Sequence, residues 1–335
     1  MPKLIDQLIP GRRYYGWRGR GVPDQRDLLY SAPLEELLNL PTSVDLTTPS
    51  LGPPFDPDFD QGSLGSCGPN AASALLTYLM TTTFGKGIIP SRLFVYYITR
   101  VLMGTISSDS GVDNPILMKA LYQYGWCDES LWPYNINQFT VKPSQVCFDQ
   151  AAKRKIVQYL SIPQQIAQMK ASISAKQPWI LGFTVYESFE SDAATMTGDI
   201  PMPKGSESVL GGHDVLAVGY DDVTARIKFR NSWGEEWGKK GYGTMPYGYV
   251  TSASLSGDFW TIKGPGWAPD SPTPPPPSPT PSNALLHLTY SRDVSVGNPI
   301  ANVPSPVRIP KGRYGLVPDP LSSDVFDPIA EGESS

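Results

Sequence analysis

Eight prolines crowd into residues 269–281, with Ser and Thr between them, and no other feature limits the fold of this chain as sharply. Proline fixes φ and removes a backbone donor, so such a stretch is neither helix interior nor central strand. It reads as extended polyproline II, a semi-rigid spacer. The 335-residue chain is thereby divided. Residues 40–265 alternate helical and strand signals without internal repeats and are expected to form the main domain. Residues 1–39 precede it as an arm, 266–282 form the linker, and 283–335 are a short extension ending in an acidic tail. An extension of that size buries little core by itself, and His287 within it reads as a residue of a short strand. The linker also offers PxxP spacing, a weak ligand for an SH3-type partner in the minority reading.

Charged residues make up 18% of the chain, against an average of roughly 25%. The net charge of −5 disfavours non-specific binding to nucleic acid or anionic lipid. No run approaches the ~20 apolar residues of a membrane helix, and no membrane partner is expected. The opening Met-Pro-Lys-Leu-Ile-Asp-Gln lacks an apolar stretch of signal-peptide length. A cytoplasmic location, or release by a non-standard route, is therefore expected. The three cysteines, Cys67, Cys127 and Cys147, do not make a disulfide scaffold. Cys127 and Cys147 could pair or could be two reduced thiols.

The arm carries Arg12, Arg13, Arg18, Arg20 and Arg26 among Tyr14, Tyr15 and Trp17. Arginines between aromatics can stack on bases. In an acidic chain the preferred reading is an extended segment packed on the body of the protein.

Gln61-Gly-Ser-Leu-Gly-Ser-Cys67-Gly-Pro-Asn-Ala-Ala reads as a loop entering a helix. Ala71, Ala72, Leu75, Leu76 and Leu79 have helical spacing with one apolar face. Pro69 suits a first helical turn. Cys67 thus sits at a helix N-terminus, where the dipole and a nearby imidazolium favour the thiolate. A small buried hydrophobe is the competing role for a cysteine, and a Gly-Ser loop is a poor setting for it.

Histidine is scarce, with only His213 and His287 available to any imidazole chemistry. Gly211-Gly-His213-Asp-Val-Leu-Ala-Val-Gly-Tyr220 reads as a strand, with His213, Val215, Ala217 and Gly219 on one face. Asp214 therefore faces the other way and is a poor partner for the His213 ring. After a turn at Asp221-Asp222, Arg226-Ile-Lys-Phe-Arg-Asn231 resumes as a second strand. That pairing can set Asn231 beside His213 and fix its tautomer.

Gln61 through Cys67 resembles the active-site segment of papain-family cysteine peptidases, as does Asn231-Ser-Trp-Gly-Glu-Glu-Trp-Gly238 with Gly241-Tyr-Gly. His213 lies 146 residues after Cys67, within the family's spacing of ~130–150. Leu64 stands where secreted members carry a disulfide-bonded cysteine, and Gly68 where an aromatic is usual. Leu40-Pro-Thr-Ser-Val-Asp-Leu46 resembles the start of the family's mature domain. Gly125-Trp-Cys-Asp-Glu-Ser-Leu-Trp-Pro-Tyr134 resembles a segment of its microbial members. The likeness spans residues 40–262.

The resemblance implies an α+β, papain-like fold of two lobes, a helical one carrying Cys67 and a β-rich one carrying His213 and Asn231. It implies a cysteine-type peptidase with Cys67 as nucleophile, His213 as general acid and base, Asn231 as orienter and Gln61 as oxyanion donor. Ser110, Gly111, Gly212 and Trp233 are the implied substrate-binding residues, Trp233 also covering the His–Asn hydrogen bond. Family members are made with a segment that blocks the cleft, so residues 1–39 are an expected zymogen element. No metal-ligand cluster or Gly-rich phosphate loop stands in the sequence, so no metal and no other cofactor is expected. Two other readings use the same residues: a transglutaminase-like acyl transferase, whose third member is usually aspartate, and a non-catalytic papain-fold binding module.

Overall fold

The computed structural model describes residues 15–22, 24–47 and 59–266. The expected linker beyond Gly266, the 283–335 extension with His287, and Arg12, Arg13 and Tyr14 lie outside the described residues.

After the short helix α1 (Leu34–Leu38) and strand β1 (Ser43–Asp45), the loop from Gln61 ends in α2 (Cys67–Phe84). α2 stops at Gly85, whose φ of 69° supplies the left-handed turn that glycine tolerates best. The expected single apolar face is too narrow a description. Every side chain from Cys67 to Met80 is buried. Helices α3 (Arg92–Met103) and α4 (Asn114–Gln123) and the sheet all pack against α2. Small residues such as Gly68, Ala71, Ala72 and Ala74 let these neighbours approach it closely. Buried Thr77 satisfies its hydroxyl within the helix, donating to the Ser73 carbonyl at 2.8 Å.

The second lobe is an antiparallel sheet of seven strands. To β1 it adds β2 (Tyr159–Ser161), β3 (Trp179–Tyr186), β4 (Val209–Asp221), β5 (Arg226–Arg230), β6 (Tyr242–Pro246) and β7 (Ser256–Ile262). Strand order is β2-β7-β3-β4-β5-β6, with β1 pairing the end of β4. Short helices α5 (Gln145–Ala151), α6 (Ile166–Ser174), α7 (Asp192–Thr197) and α8 (Tyr247–Thr251) complete the chain. The architecture is the two-lobed α+β fold that the resemblance implied.

β4 and β5 form the expected hairpin. Its turn is held by Asp221, whose Oδ1 accepts from the Val223 and Thr224 amides at 2.7 and 3.1 Å. The expected alternation holds from His213 to Ala217, and then a register shift before Gly219 interrupts it. β4 is buried along most of its length, because α2 covers one face and the sheet's own side-chain layer the other. This contact between α2 and β4 joins the two lobes and brings Cys67 to the histidine strand.

The arm lies on both lobes. Trp17 forms a parallel bridge with Val112, and Leu29 one with Ser161 at the edge of β2. The Tyr30 amide donates to the Ser161 carbonyl at 2.8 Å, and the Ser161 amide to the Leu28 carbonyl at 2.9 Å.

Candidate active site

His213 lies in β4, and Asn231 directly follows β5. The hairpin register pairs Leu216 with Arg230, which carries Asn231 back beside His213. Asn231 Oδ1 stands 2.8 Å from His213 Nε2. An amide oxygen at that place requires Nε2 to carry the proton. Asn231 Oδ1 also accepts from the Ser232 amide at 2.8 Å, which fixes the amide's orientation. Trp233 packs over the imidazole with ring centroids 4.8 Å apart and is itself 2% exposed. It seals the pair from water and is buried against Phe189 and Trp237, away from the cleft surface. Phe183 and Phe189 complete an aromatic sleeve around the ring.

Cys67 is the first residue of α2 and is 0% exposed. Its sulfur lies 3.7 Å from Asp214 Oδ2. Asp214, the next residue of β4 after His213, thus carries its carboxyl to Cys67. Asn114 Nδ2, at the start of α4, donates to Asp214 Oδ1 at 2.6 Å. Burial, and then the negative charge on Asp214, push the Cys67 thiol well above its ordinary range. Burial likewise pushes the Asp214 carboxyl up to about 8, with the Asn114 hydrogen bond opposing it.

Gln61 is buried at the start of the loop that leads to Cys67. Its Nε2 donates to the Leu64 carbonyl at 2.9 Å, and its Oε1 accepts from Ser232 Oγ at 2.6 Å. The Gln61 amide also donates to the Ser232 carbonyl at 2.9 Å. These bonds tie the cysteine loop to the asparagine loop. Tyr134 braces the same loop, donating to the Gln61 carbonyl at 3.0 Å and standing 2.5 Å from Ser66 Oγ. Asp109 accepts from the Gly65 amide at 3.0 Å. Arg92 binds Glu129 at 2.6 Å and lies 4.1 Å from the Tyr134 ring centroid. Sequence reasoning named Asp214 only as a poor partner for the His213 ring, gave Asp109 no role of its own, and did not single out Asn114 or Arg92. Their spacing from Cys67 carries no periodic signal, and for Tyr134 the one hint was its place in the Gly125–Tyr134 segment.

Of the implied substrate-binding residues, Gly111 and Gly212 both meet the arm. The Val112 amide donates to the Gly16 carbonyl at 2.7 Å, and the Trp17 amide to the Gly212 carbonyl at 2.9 Å. A Cβ on Gly111 would come within 2.2 Å of the Gly16 oxygen, and one on Gly212 within 2.3 Å of the Trp17 oxygen. Ser110 bonds inward instead, to Thr105 Oγ1 at 2.8 Å. The Trp17 ring lies on Gly182, and its Nε1 donates to Asp258 Oδ2 at 3.1 Å. Both Asp258 oxygens accept from the Gly21 amide as well.

Cys127 and Cys147 are free and buried, as is Cys67, so the open choice between a disulfide and two thiols falls to the thiols. Among the described residues, no group of three or more His, Cys, Asp or Glu could hold a metal ion. No described helix is long and apolar enough to cross a membrane.

The sequence matches the model of the papain family cysteine proteases over residues 40–257. It is 34% identical over 264 residues to an uncharacterised peptidase C1-like protein of Acanthamoeba polyphaga mimivirus, covering 73% of this chain and 85% of that one. The fold matches xylellain, a cysteine protease from Xylella fastidiosa, with a TM-score of 0.69 and 34% identity, over 76% of this chain and 97% of that one. It also matches a procathepsin B from Trypanosoma congolense with a TM-score of 0.58 at 19% identity, over 76% and 86% of the two chains. At that identity the second match speaks to fold alone.

Proposed function

The chain belongs to the papain family of cysteine proteases and is a cysteine-type peptidase, in which we propose that Cys67 is the nucleophile and His213 its acid and base. The observation that carries this reading is the meeting of Cys67, at the start of α2, with the strand whose His213 is held by Asn231 at 2.8 Å. Since Nε2 is committed to Asn231, proton exchange with sulfur and substrate falls to Nδ1. Cys67 gives its proton to His213, and the thiolate attacks the scissile carbonyl carbon. The oxyanion meets the Cys67 amide and the Gln61 side chain, whose second Nε2 hydrogen remains after its bond to Leu64. One such donor is typically worth ~3 kcal/mol in the transition state. His213 then protonates the leaving amine as the C–N bond breaks, which leaves a thioester. Water, deprotonated by His213, releases the acid and restores Cys67.

The arm acts as the zymogen element. Gly16 presents its amide N–H to the Cys67 sulfur, while its carbonyl is engaged by Val112. The group facing the nucleophile is thus a donor and not an electrophilic carbon, so the arm fills the cleft without being cut there. The substrate of the opened enzyme is a peptide or protein segment that replaces the arm between Gly111 and Gly212.

The transferase reading is disfavoured by an amide, Asn231, as the third member. The binding-module reading is disfavoured by retention of both Cys67 and His213. Replacing Cys67 by Ala should abolish peptide hydrolysis, while Cys127→Ala and Cys147→Ala should retain it. Wild-type turnover in Cys67→Ala would overturn the assignment.

A further inference from the structure

Gly68, immediately after the nucleophile, has no room for a side chain. A Cβ there would stand 2.6 Å from Val112 Cγ2, 3.0 Å from Asp214 Oδ2 and 3.3 Å from Asn114 Oδ1. The space that a larger residue would take is occupied by the Val112 methyl and the Asp214 carboxyl. That carboxyl is fully buried. Its described hydrogen-bond partners are the Asn114 amide at Oδ1 and the Cys67 sulfur at Oδ2.

We propose that Asp214 is a third group acting on the reacting sulfur: as the neutral acid its Oδ2–H donates to the Cys67 thiolate and holds it, and on ionising it suppresses that thiolate. The proton belongs on Oδ2 because Oδ1 is already an acceptor from Asn114. When Cys67 passes its proton to His213, the carboxylic O–H becomes a charge-assisted donor to sulfur. When Asp214 loses that proton to solvent, two anions would share one dry pocket, and the sulfur keeps its hydrogen instead.

The surroundings favour the neutral acid. From β3, Gly182 lies opposite Asp214 and brings no charge. From β7, Asp258 adds repulsion. From the segment before α4, Asp113 faces Arg18 at 4.0 Å. From β5, the Arg230 guanidinium lies over the Phe59 ring, 4.4 Å from its centroid. The His213 ring commits its Nε2 to Asn231 and not to Asp214. No described cation pairs with Asp214. An uncompensated carboxyl in such a place stays protonated to well above its ordinary pH.

The proposal rests on Cys67 being the nucleophile, and its test reads the thiolate rather than hydrolysis. Ultraviolet thiolate absorbance of the full chain opened by Gly16→Ala, minus that of the same chain with Cys67→Ser, is followed against pH. The opened chain should lose thiolate signal in a step near pH 8, where burial places the Asp214 ionisation. Adding Asp214→Asn, an isosteric neutral donor, should abolish that step. The opened chain also carries its own check, in case the Asp214 variant does not fold. Infrared spectra should show a protonated carboxyl band disappearing with the same midpoint as the thiolate signal. Superimposable titrations of the opened chain with and without Asp214→Asn, or a carboxyl band absent at pH 6, would overturn the proposal. Such a failure alongside an inactive Cys67→Ala would remove the Asp214 role and leave the nucleophile assignment standing.

Discussion

Gly16 lies against the sulfur of Cys67: a Cβ on residue 16 would stand 2.9 Å from Sγ and 2.1 Å from the Gly65 carbonyl oxygen. The second distance is the stricter one, since a backbone oxygen in a braced loop cannot move aside. Asp109 and Tyr134 hold that loop from behind. A Gly16→Ala arm must therefore lift. Overpacking of this kind costs ~1–3 kcal/mol, which would raise the open fraction by roughly 5- to 150-fold where the closed form dominates. Initial rates on a fluorogenic peptide should rise accordingly. Equal rates for Gly16→Ala and wild type would sink the blocking role.

Trp17 anchors the same arm through its ring on Gly182 and its bond to Asp258. Trp17→Ala should activate the enzyme at least as much as Gly16→Ala. The two changes should combine less than additively, because either one opens the same cleft. An arm with purely structural purpose would instead give a lower melting temperature without activation.

Loss of Gln61 should be felt in turnover. Gln61→Ala, read in the Gly16→Ala background, should lower kcat by ~100-fold or more with a smaller change in KM, because the oxyanion exists only in the transition state. A change confined to KM would contradict the oxyanion role. Some loss of stability should accompany it, since Gln61 also bonds Leu64 and Ser232.

Removal of the Asn231 amide should weaken His213 less than removal of the ring itself. Asn231→Ala should reduce kcat, and His213→Ala should reduce it further. Trp233 still covers the imidazole in the first variant, 4.8 Å away, so the ring keeps its pocket but loses its fixed tautomer. Equal losses in the two variants would argue that Asn231 does more than orient.

The raised carboxyl of Asp214 also makes a stability prediction. The folded state keeps this proton up to about pH 8, whereas an exposed aspartate loses it near its ordinary value of 3.8. Between those values the native state binds more protons than the unfolded one, so this group lowers stability as pH rises. The loss accumulates from pH 4 and is complete above pH 8, reaching an order of ~5 kcal/mol by linkage. Asp214→Asn should therefore melt at a higher temperature than wild type at pH 8, with the gap closing toward pH 4. Parallel melting curves across that range would show that Asp214 is not buried as a neutral acid.

Much of the site is written locally in the sequence. The loop-to-helix change at Cys67 follows from glycines and helical apolar spacing, and the hairpin that joins His213 to Asn231 follows from alternation and a turn. Both are short-range physics, and both are present in the structure. Strand alternation even turns Asp214 away from the imidazole. What lies on that other face is decided by the docking of α2 against β4, a contact between residues 147 positions apart. No local pattern encodes it. The same holds for the all-round burial of α2, which depends on three neighbours arriving from different parts of the chain. It holds also for the arm, whose arginines and aromatics read as a packed segment without an address. Gly111 and Gly212 give it that address, and Gly182 makes room for the Trp17 ring, because only a surface without side chains lets another backbone come this close beside Cys67.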